Sequence, residues 1–402
     1  MPSAVKIIND PIYGFISIPS GLIYDLIEHP YFQRLRRISQ MGLSYMVYPG
    51  AHHTRFQHST GTLHLMTKAV ESLRSKGISI DDSEYFALQA AILLHDIGHG
   101  PFSHALEGII VENRSHEDIT LTYMEYFDRE AGGELREAIR IYRGEHPRIF
   151  FNSLVSGQLD MDRLDYLMRD SFYTGVVEGS INSDRLIAMM NVAGGRLVVE
   201  QKALYSIEKF LLSRRFMYWQ VYFHKTGFLA EKILGKILSR ARELIRAGAH
   251  VPAGEQLYYF LSGNAGGDSF LSRFSMLDDH DIWVALKEWT RHSDRVLSRL
   301  SGMLVNRRLP RIEFFETPID EGYQDEIKER FRKQTGFTDD EIPYFIWQGR
   351  IGSKVYDLAD GGIRILDKNG KVAEWLEVVK QFDRQRFTKP YYRYYLVSPR
   401  KI

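Results

Sequence analysis

No cysteine occurs among the 402 residues, which excludes disulfides, thiolate metal sites and cysteine nucleophiles and points towards a reducing compartment. Excess charge is missing as well. With 52 basic and 51 acidic side chains the formal charge is +1, so no overall field draws the molecule to nucleic acid or an anionic membrane, and an anionic ligand must be held locally. No apolar run approaches the roughly 18 residues of a membrane span, and the opening MPSAVKIINDPIYG lacks the charged-then-apolar order of a secretory leader. The chain therefore reads as cytoplasmic. Internal repeats and low-complexity stretches are absent too. What is present is 44% hydrophobic content, enough for a sizeable core in a globular chain.

The chemistry-bearing residues gather in AILLHDIGHGPFSHALE, Ala91 to Glu107, where a nearly all-apolar run from Tyr85 to Leu94 ends in His95, Asp96, His99 and His104. The run suits a buried helix. Imidazole and carboxylate side by side at a buried helix end are costly unless something binds them. A divalent metal answers that cost best, because both groups are ligands and the cation offsets the buried carboxylate charge. A His satisfied by its neighbouring Asp is the plainer account of a lone pair, but partners elsewhere favour the metal.

In GAHHTRFQHSTGTLHLMTKAVESL, Ser59 or Thr60 can cap a helix whose apolar Leu63, Met66, Ala69 and Leu73 recur at helical spacing, which sets His58 at its beginning. In SGQLDMDRLDYLMRDSFYTG, Asp162, Tyr166 and Asp170 stand four apart and share one helical face, with Asp160, Arg163 and Asp165 pointing elsewhere. Ser115 is a candidate cap for a further periodic segment, Ile119 to Tyr126, with His116 near its start. Collected, His58, His95, Asp96 and Asp162 form the candidate metal set.

The remaining pattern is mainly α. Residues 4 to 19 mix β-branched residues with the Asp10-Pro11 and Gly14 turn signals, implying short extended segments. Leu22 to Met41, interrupted by Pro30, implies two short helices whose exposed side carries Arg34, Arg36 and Arg37. A long helical pattern runs from Ile207 to Leu244. Loop-rich Ala247 to Gly267, with Pro252 and five glycines, is the chosen boundary. This divides the chain into a packing segment at 1–45, a helical core at 46–246 and a smaller α+β region at 247–402. In the last, helices are expected across Asp278 to Met303 and strands at Arg311 to Phe315, Tyr344 to Trp347, Ile363 to Leu366 and Tyr391 to Val397.

Ordered matches at KIINDPIYG, YFQRLRRISQMG, YPGAHHTRFQHSTG, LLHDIGHGPFSHALE, LDMDRLDYLMRDSFYTG and HKTG resemble the HD-domain deoxynucleoside triphosphate triphosphohydrolases, in particular the catalytic core of vertebrate members that also carry a SAM domain. The likeness covers most of residues 4 to 245. It implies an all-helical HD core and a metal on His58, His95, Asp96 and Asp162, namely iron, manganese or zinc, with Mg²⁺ on the substrate phosphates. It also implies attack of water on the α-phosphorus, giving deoxynucleoside and triphosphate.

Residue by residue, the in-site histidines of that family correspond to His99, His104 and His116. His104 or His116 would protonate the leaving sugar oxygen, and Glu107, standing where the vertebrate enzyme has Asp, would orient His104. Phosphate contacts would fall to Arg55, Arg163 and Arg214, with Arg163 replacing a Lys. Gln40 and Asp170 correspond to contacts with a 3′-hydroxyl. Tyr166 would pack under the deoxyribose and exclude a 2′-hydroxyl, Tyr222 would line the base side, and Tyr218 departs from a family His. Lys6, Glu28, Arg36, His224 and Lys225 match a nucleotide-effector site between subunits of an active homo-oligomer, dimer or tetramer, although Glu28 replaces Asp and the loop before it is one residue longer.

Two other readings compete. One is a hydrolase of the same metal-dependent kind acting on another nucleotide or phosphomonoester, which product analysis separates. The other is a nucleic-acid-binding regulatory scaffold with a vestigial site, supported by basic residues scattered through the C-terminal part and opposed by the intact ligand set and near-zero charge.

Overall fold

In a computed structural model of the chain, residues 6–264, 266–353, 356, 361–379, 388 and 391–400 are described, apart from the side chains at 103, 104, 353 and 391. The chain opens with an antiparallel hairpin, β1 (Lys6–Asp10) and β2 (Gly14–Ile18), in register Lys6 with Ile18 and Asp10 with Gly14. Asp10 closes it by accepting the backbone N–H groups of Ile12 and Tyr13. Two short helices follow, α1 (Leu22–Glu28) and α2 (Pro30–Gln33), with Pro30 in the first turn, where its missing N–H costs nothing. A tight 3₁₀ turn at Arg34–Arg37 comes next. Arg36 and Arg37 are exposed as expected, but Arg34 is fully buried. Its guanidinium lies over the Phe274 ring and donates to the carbonyls of Ile97 and His99, so it is a tether for the turn after Leu94 rather than part of a basic face.

Three long helices build the core around that turn. The first, α3 (Arg55–Ser75), starts earlier than the Ser59 or Thr60 cap would allow, because Thr54 and Gln57 form a capping box. His58 therefore lies within the helix rather than before it, while Ser59 and Thr60 are buried and Thr60 bonds back to the Phe56 carbonyl. The next, α4 (Asp82–Leu94), is capped by the reciprocal Asp81 and Glu84 pair, and everything from Ala87 to Leu94 is buried. It delivers His95 at its end. After the short α5 (Ser103–Leu106) comes α6 (His116–Glu130), capped by Ser115 with Asp118 returning the bond. The third core helix, α7 (Met161–Thr174), begins at an Asp160 cap and stops at Gly175, whose φ of 73° is left-handed. Helix α3 packs against both α4 and α7, which brings the segments carrying His58, His95 and Asp162 together.

The expected long helix from Ile207 to Leu244 is two: α8 (Leu204–Met217) and α9 (Lys225–Arg246), separated by a π turn at Tyr218–Tyr222 and a His224 cap. Before them the helical core carries a hairpin, β3 (Met190–Ala193) and β4 (Arg196–Glu200). Helices α10 (Asp279–Trp289) and α11 (Arg295–Val305) open the C-terminal part, and α11 packs on α9. The strands β5 (Arg311–Phe315), β6 (Trp347–Ser353), β7 (Arg364–Leu366), β8 (Val372–Glu374) and β9 (Tyr391–Ser398) make two sheets, ordered β5-β9-β6 and β3-β4-β7-β8. Tyr344 ends a 3₁₀ turn, so the strand expected at Tyr344 begins at Trp347 instead.

Because β7 runs parallel to β4, with Val199 paired to Ile365, the C-terminal part completes a sheet that starts in the helical core. One hydrophobic cluster runs continuously from Ile16 to Val397. Among the described residues no helix is long and apolar enough to cross a membrane.

Candidate metal centre and substrate cleft

The ends of α3, α4 and α7 converge on one small space. His58 Nδ1 meets Asp165 Oδ2 at 2.7 Å, and His95 Nδ1 meets the Ile92 carbonyl at 2.6 Å. A carbonyl and an ionised carboxylate can only accept, so Nδ1 of each imidazole donates and Nε2, turned inward, is the atom left to bind a cation or take up a proton. Neither buried Nε2 has a hydrogen-bond partner among the described residues. Asp162 Oδ1 stands 3.1 Å from His58 Nε2 and 3.6 Å from His95 Nε2. Asp96 adds Oδ1 at 3.5 Å from His95 Nε2 and Oδ2 at 3.7 Å from His58 Nε2, the latter also held by Arg55.

Lone pairs that face one another with nothing to share are what a cation resolves, and the two imidazoles with the Asp162 carboxylate form a donor set that fits a divalent metal. Charge agrees with geometry. Although burial disfavours its charged form, Asp162 and Asp165 together push His58 up to about 10, and the same two histidines hold Asp162 far below the usual carboxylate range. The pocket demands positive charge.

Behind the ligands lies a layer that sequence reasoning missed. Asp165, expected to point elsewhere, is fully buried and takes His58 through one oxygen while both its oxygens accept from Arg169 at 2.9 Å. Arg169, also fully buried, then reaches Asp10 of the hairpin at 2.7 Å. Against the upward push of burial, Arg169 and His58 keep the Asp165 carboxyl down at about 2, so it is ionised whenever the protein is folded near neutrality. Gly61 leaves room for the pair: a Cβ there would lie 2.1 Å from Asp165 Oδ1 and 2.3 Å from Arg169 Nη2. The signal available in the sequence was the Asp165 to Arg169 spacing of four, which places the two charges side by side on one helix. Nothing local announced Asp10.

His99 and His116 stack with ring centroids 4.0 Å apart. Burial and the neighbouring Arg55 hold His99 well below the ordinary imidazole range, which keeps it neutral. Glu107 engages His116. Its Oε1 accepts from the backbone N–H of His116 and meets His116 Nδ1 at 2.7 Å, because His116 opens α6 directly opposite it. The side chain of His104 lies outside the described residues.

A cleft of about 780 Å³ opens beside these groups, lined by Arg55, Asp96, His99, His116 and Asp162 at one end. Gln40, Tyr166, Asp170, Tyr218 and Tyr222 line its middle, so the shared face of Asp162, Tyr166 and Asp170 does look into one space. Asp170 is clasped by His53 Nε2 at 2.7 Å and by the Tyr222 hydroxyl at 2.5 Å. His53 is a second residue that sequence reasoning passed over. Arg163 and Arg214 are not among the lining residues: Arg163 donates to Asp160, its own helix cap, at 2.7 Å, and Arg214 packs beside Tyr218.

The residues matched to an effector site lie along the outer edge. Lys6 pairs with Glu28, and Arg36 donates to Gln33 at 2.8 Å while its guanidinium lies 3.5 Å from the Phe56 ring centre. Lys225 is exposed beside the His224 cap.

Comparison with known proteins agrees with this layout. Residues 55–170 match the HD domain and residues 181–253 the HD associated region. The chain is 32% identical over 390 residues to the uncharacterized protein YwfO of Bacillus subtilis, covering 92% of this chain and 87% of that one. A crystal structure of a phosphohydrolase from Bacteroides thetaiotaomicron superposes with a TM-score of 0.94 at 49% identity, covering 99% of this chain and 100% of the other. The deoxynucleoside triphosphate triphosphohydrolase SAMHD1 homolog of Dictyostelium discoideum is 30% identical over 260 residues, 60% of this chain but only 50% of that protein's length.

Proposed function

The chain belongs to the HD-domain phosphohydrolase family that includes deoxynucleoside triphosphate triphosphohydrolases, and from that premise we propose that it hydrolyses dNTPs to deoxynucleoside and triphosphate. The observation that carries the substrate is the middle of the cleft. There Asp170, held in place by His53 and Tyr222, offers a carboxylate to a sugar hydroxyl, while the Tyr166 ring lies one helical turn from Asp162 on the same face. A carboxylate for a 3′-hydroxyl beside an aromatic wall suits deoxyribose, since a 2′-hydroxyl against a ring would lose its water without gaining a partner.

His58, His95, Asp96 and Asp162 would hold a divalent cation, iron, manganese or zinc, and such an ion lowers the pKa of a water and neutralises phosphate oxygens, with Mg²⁺ on the outer phosphates. Arg55, locked onto Asp96, presents the remaining face of its guanidinium to the phosphate end of the cleft. His116 is oriented at Nδ1 by Glu107, and its Nε2, 3.2 Å from Glu117 Oε1, would be the atom that passes a proton to the leaving sugar oxygen. His99 stacks on it and limits its rotation.

The test is incubation with each dNTP and NTP plus Mn²⁺ or Mg²⁺, with chromatography of products, for wild type and Asp162→Ala. Triphosphate and deoxynucleoside from dATP, much less from ATP, and neither from the variant are expected. Equal turnover of ATP and dATP would remove the role given to Tyr166, and release of monophosphate would move the reading to another phosphohydrolase.

A further inference from the structure

Beyond Tyr222 the cleft does not end. It continues along one stripe of α9, where Phe228, Glu231, Lys232 and Lys236 line it, to Trp347 and Tyr395 of the β5-β9-β6 sheet. Among the described residues four carboxylates face this space. Asp96, Asp162 and Asp170 belong to the metal and sugar ends, which leaves Glu231. Its position relative to the sugar subsite follows from the opposite wall: Gln40, Met41 and Gly42 line the cleft in succession, and a Cβ on Gly42 would lie 3.0 Å from Glu231 Oε1. Gly42 has a φ of 51°, so a side chain is disfavoured there on backbone grounds as well. A group attached to a sugar that meets Gln40 and Asp170 therefore arrives beside the Glu231 carboxylate.

That carboxylate is short of donors. A hydrogen bond from the Leu43 backbone and the charge of its neighbour Lys232 offset only part of its burial, which lifts it to about 7. An ionised carboxylate is an acceptor at both oxygens, so it is satisfied by two adjacent N–H groups and opposed by an acceptor lone pair. Of the four bases, guanine alone places two donors side by side, its ring N1–H and its exocyclic amino group. Adenine and cytosine set an acceptor next to their amino group, and thymine sets its single N–H between two carbonyls.

We propose that Glu231 is the base-reading residue of the cleft and that it selects guanine. The placement of the sugar rests on the dNTP reading above; the pairing chemistry does not. Met41 and Phe223, which line the same stretch, supply apolar surface for the faces of the ring.

The test uses nucleosides first. At pH 8, where the carboxyl is ionised, calorimetric titration of the wild-type protein with deoxyguanosine and deoxyadenosine should show at least about tenfold tighter binding of deoxyguanosine, the effect of one charge-assisted hydrogen bond. In Glu231→Gln, which keeps shape but replaces one acceptor with a donor, the ratio should fall to within about threefold, and the ratio of kcat/KM for dGTP over dATP should fall in parallel. Thermal melting of the variant confirms that it is folded. Equal affinity of the wild type for the two nucleosides, or an unchanged ratio in the folded variant, overturns the proposal. Because nucleosides carry no phosphate, guanine selection in a protein that cleaves no dNTP would leave Glu231 in place and sink the proposed reaction, whereas dNTP cleavage blind to the base would do the reverse.

Discussion

Replacing Asp165 with Asn tests whether the buried layer behind the ligands controls the metal. The side chain keeps its shape but exchanges one acceptor oxygen for a donor NH₂. If the amide oxygen stays on His58, the new NH₂ faces Arg169 Nη2, donor against donor, where an oxygen now accepts at 2.9 Å. If the amide turns round, NH₂ faces His58 Nδ1 and drives that ring to the tautomer with its proton on Nε2, pointing into the ligand space. In both orientations Arg169, which is fully buried, retains a single carboxylate, Asp10 at 2.7 Å.

Breaking a buried ion pair from one side costs about 3–5 kcal/mol, and since Asp10 and one hydrogen bond survive, the lower end applies, about 3 kcal/mol. Loss of a partner that orients a ligating histidine weakens metal binding by about 10- to 100-fold. Urea unfolding of the metal-free protein and of the variant measures the first quantity, and titration with Mn²⁺ or Zn²⁺ measures the second. A variant within about 1 kcal/mol of wild type, with unchanged metal affinity, would refute the chain of contacts from Asp10 to His58.

Two further predictions follow from the same geometry. Gly61→Ala, which in an exposed helix would stabilise by about 1 kcal/mol, should here destabilise by about 1–3 kcal/mol and weaken metal binding, because its methyl group would meet Asp165 and Arg169; a stabilised variant in thermal melts would contradict the packing described. We also propose that nucleotide bound near Arg36 promotes a homo-oligomer, so GTP or a second dNTP should raise both the sedimentation coefficient and dNTP turnover in wild type but not in Arg36→Ala; a wild-type monomer with hyperbolic, effector-independent kinetics would leave Lys6, Glu28, Arg36, His224 and Lys225 without a regulatory role.

The candidate ligands stand out in the sequence because each is chemically out of place: His95 and Asp96 end an apolar helix, and Asp162, Tyr166 and Asp170 repeat at a helical period. Helix starts were legible where the cap itself was read, as at Ser115, and misplaced where the capping box was overlooked, as at Thr54 with Gln57. Arg34 and Asp165 were misread for a common reason. Both sit in segments whose local pattern is amphipathic, and a charged residue in such a pattern is assigned to solvent unless its partner is known. Those partners are long-range: the Ile97 and His99 carbonyls for Arg34, His58 for Asp165 and Asp10 for Arg169. Helix periodicity reports a face, not what the fold sets against it.

The same limit explains why the region after residue 247 contributes to the site without any motif of its own. Asp279, at the start of α10, accepts the backbone N–H of Ser39 at 2.8 Å and that of Phe102 at 3.0 Å. Ser39 precedes Gln40, and Phe102 lies just past the turn that carries His95, Asp96 and His99, in a left-handed conformation with φ of 47° that a non-glycine residue adopts only when its surroundings impose it. One carboxylate thus sets the distance between the two walls of the cleft, and Asp278 beside it reinforces the first wall by pairing with Arg37. Buried backbone donors must be satisfied by something, and here the single Asp279 carboxylate from the C-terminal part does it for both walls at once. With Trp347 and Tyr395 closing the far end of the cleft, the α+β region is structurally part of the cleft, and its composition showed none of this because an aspartate at a helix start is, on the sequence alone, only a cap.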